Sequence, residues 1–114
     1  MHELSLCQSI LNIIQRYARE HNFERVQTLW LSFGRLSCVQ EEALSFSFQA
    51  VAQGTIAQGA ELKFQVYPVQ IYCFFCERTY EIEEYTGECP DCGSSKVVLQ
   101  GGTEELRLLE MQVE

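Results

Sequence analysis

The chain has 114 residues, 46% of them hydrophobic, and a formal net charge of −8. That is the length of one ordinary domain with a small appendage, too apolar for a disordered chain, and no apolar run approaches the roughly 20 residues of a membrane span. An acidic surface of this kind disfavours nucleic acid and anionic membranes as partners and leaves cations and basic protein surfaces open.

Residues 4–20 read as an amphipathic helix. Cys7, Ile10, Leu11, Ile14, Tyr17 and Ala18 fall on one face, and Ser5, Gln8, Ser9, Asn12, Gln15, Arg16 and Arg19 on the other. Polar residues inside this segment, and the lack of a basic leader, argue against a secretory signal and predict a cytoplasmic protein. Asn22 is the expected helix stop, because it tolerates the left-handed conformation. Arg25 to Phe33 alternates, with Leu29, Leu31 and Phe33 on one face, and ends at Gly34 as a strand should. A second helix is expected after Ser37, which with Gln40 makes a capping-box pattern. Its apolar stripe is Leu44, Phe48 and Val51, widened by Ala43, Phe46 and Ala52, and Gly54 closes it. Glu61 to Tyr67 is a further strand, ended by Pro68. After the Gly101-Gly102 exit, Leu106 to Val113 alternates through Leu109, Met111 and Val113 and returns to the first sheet. The fold class is therefore α+β: a small three-stranded sheet packed on two helices, with an inserted module between the second and third strands. The division expected is 1–68 plus 103–114 for the α+β domain and 69–102 for the insertion.

The insertion is too small to bury a core and needs a staple. It contains Cys73-Phe74-Phe75-Cys76 and Cys89-Pro90-Asp91-Cys92, with twelve residues between the pairs. Each C-x-x-C places two thiolates on one side of a tight turn, and two such knuckles supply the tetrahedral sulfur set of a zinc ribbon. In a reducing compartment this pattern favours metal over disulfides. Four sulfur ligands leave no open position, so the zinc is structural and not catalytic. Between Cys73 and Gln100, Arg78 and Lys96 stand against Glu77, Glu81, Glu83, Glu84, Glu88 and Asp91, a balance of −4 that is wrong for binding phosphates. Cys7 and Cys38 lie in apolar patterns and are read as buried core thiols.

At the start of the chain, the Met1 amine, the amide and imidazole of His2, and the Glu3 amide or carboxylate can form a nitrogen-rich, near-planar chelate suited to Ni(II) or Cu(II). Glu3 equally suits the positive end of the first helix. No phosphate loop, nucleophile elbow or nucleophile-histidine pair points to an enzyme. Taken alone, these features suit either a metal carrier or a zinc-ribbon interaction module of transcription or translation.

The combination is more specific than its parts. Met1-His2-Glu3 ahead of an amphipathic helix, Gly34-Arg35-Leu36-Ser37-Cys38-Val39 leading to Leu44-Ser45-Phe46-Ser47-Phe48 and Gly54-Thr55, the two cysteine pairs and the C-terminal strand together resemble the HypA/HybF family of nickel metallochaperones, over nearly the whole chain. The resemblance implies transferable Ni(II) at Met1, His2 and Glu3, and structural Zn(II) at Cys73, Cys76, Cys89 and Cys92. It implies as partners a nickel-linked GTPase maturation factor and the large-subunit precursor of a [NiFe]-hydrogenase; it leaves a homodimer open. One departure stands out: His2 and His21 are the two histidines, so the insertion has none to offer nickel. A further ligand would come from water, from Glu41 or Glu42, or from a partner.

Overall fold

In the computed structural model, which describes residues 3–114, helix α1 runs Glu3–His21 and buries Cys7, Ile10, Leu11 and Ile14. The expected stop holds: Asn22 has φ 56°, and its amide donates to the Ala18 carbonyl at 2.8 Å. Strand β1, Val26–Gly34, is buried along most of its length and forms the centre of a three-stranded sheet. On one side it pairs in parallel with β2, Glu61–Tyr67; on the other it pairs antiparallel with β6, Arg107–Val113. Helix α2, Glu41–Ala52, packs beside α1, and its Leu44, Phe48 and Ala52 join the α1 face and the β1 residues Val26, Leu29 and Leu31 in one core. Met1 and His2, two of the expected nickel ligands, lie outside the described residues.

Three details differ from expectation. The capping box does not form. Gly34 to Ser37 instead lead into a short 3₁₀ turn, Arg35–Ser37, where the Ser37 hydroxyl donates to the Gly34 carbonyl at 2.8 Å. Helix α2 starts four residues later, after an extended Gln40 whose carbonyl accepts from the Leu44 amide. Phe46 is exposed (79%), because it sits two residues from both Leu44 and Phe48, about 200° round the helix from each. In β6 the register shifts between Trp30–Glu110 and Leu31–Leu108, leaving Leu109 as the unpaired residue of a bulge. Leu108 and Met111 therefore pack on the core, whereas Leu109 and Val113 are exposed.

The insertion forms a second antiparallel sheet, β4-β3-β5, that the sequence pattern did not suggest. β3 is Val69–Cys73, β4 is Arg78–Ile82 and β5 is Val97–Gly101. Its buried side chains are few: Val69, Ile71, Cys73 and Cys89. The molecule is correspondingly long and thin, 54 × 25 × 17 Å. The two sheets meet where β1 ends against the Gly102–Glu104 connection. There the Gly34 amide donates to the Glu104 carbonyl (2.8 Å) and the Leu36 amide to the Gly102 carbonyl (2.7 Å).

Candidate metal centre

Cys73 ends β3, and the chain reverses over Phe74–Glu77 before β4. Glu77 takes a left-handed conformation (φ 55°), and its amide donates to the Cys73 carbonyl at 2.8 Å. This turn brings the Cys76 amide to 3.4 Å from Cys73 Sγ. The second pair repeats the device: the amides of Asp91 and Cys92 donate to Cys89 Sγ at 3.4 and 3.5 Å. Gly93 serves the turn with φ 74°, and its own amide goes to the Cys89 carbonyl and not to a sulfur. Amides aimed at sulfur stabilise thiolate, the form that binds metal.

All four Sγ atoms lie within 4.8 Å of one another. Cross-pair separations are 3.7 Å for Cys73–Cys92 and 4.0 Å for Cys76–Cys89. A tetrahedral ion with zinc–sulfur bonds of about 2.3 Å needs sulfurs about 3.8 Å apart, so the set fits zinc with little adjustment. The six cysteines are unbonded to one another, and the cross-pair sulfurs stand at the spacing a shared ion would set. The centre is electrostatically uneven. Burial would raise the Cys89 thiol, but the amides of Cys92 and Asp91 and neighbouring thiols bring it down to about 7. Cys92 receives a lowering hydrogen bond from the Ser94 backbone, yet burial and the thiols of Cys76, Cys89 and Cys73 push it up to about 12. One acidic and one reluctant thiol in contact is what a shared cation would resolve.

One residue beside the centre, Tyr80, was not singled out in the sequence. The Tyr80 hydroxyl on β4 donates to Asp91 Oδ2 at 3.0 Å, and the guanidinium of Arg78 lies 5.9 Å from the centre of the Tyr80 ring. A hydrogen bond to Cys76, then burial and Asp91, hold the Tyr80 phenol well above its usual range. A tyrosine four residues after a C-x-x-C is a signal too common to have been read. Phe74 and Phe75, between the first two cysteines, are exposed (57% and 78%) and do not pack into a core; Phe74 meets Tyr72 edge-on, at 5.1 Å between ring centroids.

At the other end of the molecule Glu3 is the first residue of α1 and is half-buried. Its charge, after burial, contributes to raising Cys7 one turn later to about 11. Cys7 is fully buried, as expected, with its thiol toward the Leu44 carbonyl at 3.5 Å. Cys38 is not buried. It caps the 3₁₀ turn in a left-handed conformation (φ 65°) that turns its side chain to solvent. Glu41 and Glu42 lie exposed in the first turn of α2. Among the described residues, the four paired cysteines are the one group whose ligand atoms converge as a metal site would require. No helix among them is long and apolar enough to cross a membrane.

The sequence over residues 1–113 matches the family model for hydrogenase/urease nickel incorporation, metallochaperone, hypA. It is 48% identical to the hydrogenase maturation factor HypA of Syntrophus aciditrophicus (strain SB) over 114 residues, the whole of both chains. It is 45% identical over 102 residues to the hydrogenase maturation factor HybF of Escherichia coli (strain K12), covering 90% of each. The fold is similar to the solution structure of the nickel metallochaperone HypA from Helicobacter pylori, with a TM-score of 0.66 at 21% identity over 99% of this chain and 97% of that one. A second HypA solution structure gives 0.71 at 21% identity, over 100% and 97%. Of the two readings the residues alone allowed, these findings decide for the metal carrier over the free-standing zinc ribbon. The chain belongs to the HypA/HybF family of hydrogenase maturation factors and nickel metallochaperones.

Proposed function

We propose that the chain carries Ni(II) on Met1, His2 and Glu3 and delivers it, in the cytoplasm, to the large-subunit precursor of a [NiFe]-hydrogenase, working beside a nickel-linked GTPase and performing no catalysis itself. Residues 1–68 plus 103–114 are then the nickel unit. Residues 69–102 are the zinc unit, with Zn(II) held by Cys73, Cys76, Cys89 and Cys92. The observation that carries the reading is the match to the nickel-incorporation family from the first residue to the end of β6. The local structure is compatible with it: Glu3 opens α1, and the first fully buried side chain of that helix follows only at Cys7. Closed tetrathiolate chemistry on one unit and an open nitrogen-rich chelate on the other suit a permanent and a transferable ion respectively. Calorimetric nickel titration of zinc-loaded chain with its natural N-terminus tests this. One nickel per chain is expected, and no nickel binding would end the proposal.

A further inference from the structure

The two halves of the cysteine centre are held very differently. Cys73 and Cys76 belong to the β3–β4 hairpin, whereas Cys89–Cys92 lies in the irregular stretch between Ile82 and Val97. The backbone bonds of the second pair are local: the Cys89 amide to the Ser94 carbonyl (2.9 Å) and the Gly93 amide to the Cys89 carbonyl (3.0 Å). A backbone bond from Phe74 reaches Lys96, beyond the pair and just ahead of β5. Apart from the contacts between the ligand sulfurs themselves, the side-chain bond that spans from the hairpin to the second pair is Tyr80 to Asp91. Strand register makes this reach natural. Tyr80 pairs with Ile71 and Arg78 with Cys73, so Tyr80 and Cys73 project from the same face of the hairpin. Asp91 in turn is gripped twice, its carboxylate by Tyr80 and its amide by Cys89 Sγ.

Complete release of the metal is easiest if one pair separates from the other, and the pair outside the strands has less backbone holding it; displacing it breaks the Tyr80–Asp91 bond. We propose that this hydrogen bond is a latch on the second cysteine pair, and that Tyr80 is a positioning residue which sets how slowly the centre gives up its metal. The proposal rests on the zinc reading above. Partners one step outside a metal's ligands commonly change retention by about 10–100-fold. Asp91 is exposed, where a hydrogen bond competes with water, so the lower end, about tenfold, is expected here.

The test is zinc release from the reduced, zinc-loaded full chain to a chromogenic chelator, with zinc content and far-UV circular dichroism measured first. Tyr80→Phe keeps the ring and Asp91→Ala removes the acceptor. Each should retain one zinc per chain and release it about tenfold faster, and the double variant should be no faster than either single one. Asp91→Asn, which keeps an acceptor oxygen, should recover most of the wild-type rate. Glu88→Gln, which removes a neighbouring charge outside the latch, should release zinc at the wild-type rate. Unchanged rates with one zinc per chain, or independent effects that multiply in the double variant, would overturn the latch alone. Wild-type chain that takes up no zinc would overturn the zinc reading, and the latch with it.

Discussion

The backbone of Gly102 occupies the place that a Cβ on Gly34 would take, and the Glu104 amide nitrogen lies 2.6 Å from the same point. Gly34 ends the central strand of the first sheet, and Gly102, with φ 104°, is where the chain leaves the second. The two glycines thus let the sheets meet with backbone against backbone, an approach that the Leu36–Gly102 and Gly34–Glu104 hydrogen bonds exploit. Neither obstructing group is a flexible side-chain tip, so nothing can yield cheaply. Gly34→Ala should therefore cost about 2–3 kcal/mol, at the upper end of overpacking penalties. Urea unfolding checks this. A loss below about 0.5 kcal/mol would mean that the junction opens without resistance.

The insertion's stability should be mostly metal-binding energy, because Val69 and Ile71 are its only fully buried aliphatics outside the cysteine cluster. Cys73→Ala or Cys92→Ala should lose zinc and collapse hydrogen-exchange protection in β3, β4 and β5. Protection round Ile14 and Phe48 should persist, since that core lies wholly outside the insertion. Equal loss of protection in both sheets would show that the insertion is not energetically separable.

Two cysteines outside the centre should differ sharply in reactivity. Cys38 is exposed and should be alkylated in the native state. Cys7 is fully buried, and its thiol is raised from an ordinary 9.0 to about 11, by burial first and then by Glu3. Its thiolate is disfavoured by folding, so its contribution to stability is complete below about pH 9 and is lost as pH rises from there through about 11. Mass-spectrometric labelling at pH 8 should modify Cys38 and spare Cys7 until the chain unfolds. Rapid native labelling of Cys7 would contradict this environment.

How much of this was legible in the sequence depended on how local each determinant was. Period-3.6 burial from Cys7 to Ile14 in α1 and the stop at Asn22 are written in adjacent residues, and they hold. β1 and β2 are strands as expected, but β1 is buried on both faces, and Tyr17 and Val66, expected on apolar faces, are exposed. The spacing of the two cysteine pairs likewise specifies the four-sulfur cluster that the fold assembles. The misreadings have tertiary causes. Ser37 could cap a helix, but the fold turns it back onto Gly34; Cys38 sits in an apolar pattern, but the left-handed turn rotates it outward. Leu109 alternates correctly until the bulge opposite Trp30 and Leu31 displaces it. β4 and β5 are short, mostly exposed strands whose pairing with β3 carries little hydrophobic signature of its own.

The nickel ligands are tested at the head of the chain. Glu3 opens α1 and the first fully buried side chain follows at Cys7, so His2→Ala should leave the fold and the zinc content intact while abolishing high-affinity nickel binding. If the Met1 nitrogen also ligates, an N-terminal extension should have nearly the same effect although it alters no side chain. Both nitrogens must be unprotonated to bind. With reference values of about 7.7–8.0 for an α-amine and about 6.5 for histidine, nickel affinity should weaken as pH falls below roughly 7, with protons released on binding. The zinc thiolates, on the other sheet, should not respond to either change. Calorimetric titration of native, extended and His2→Ala chains at several pH values separates the cases. Native-like affinity in the extended chain would remove the amine from the site, and native-like affinity in His2→Ala would move the nickel site away from the N-terminus altogether.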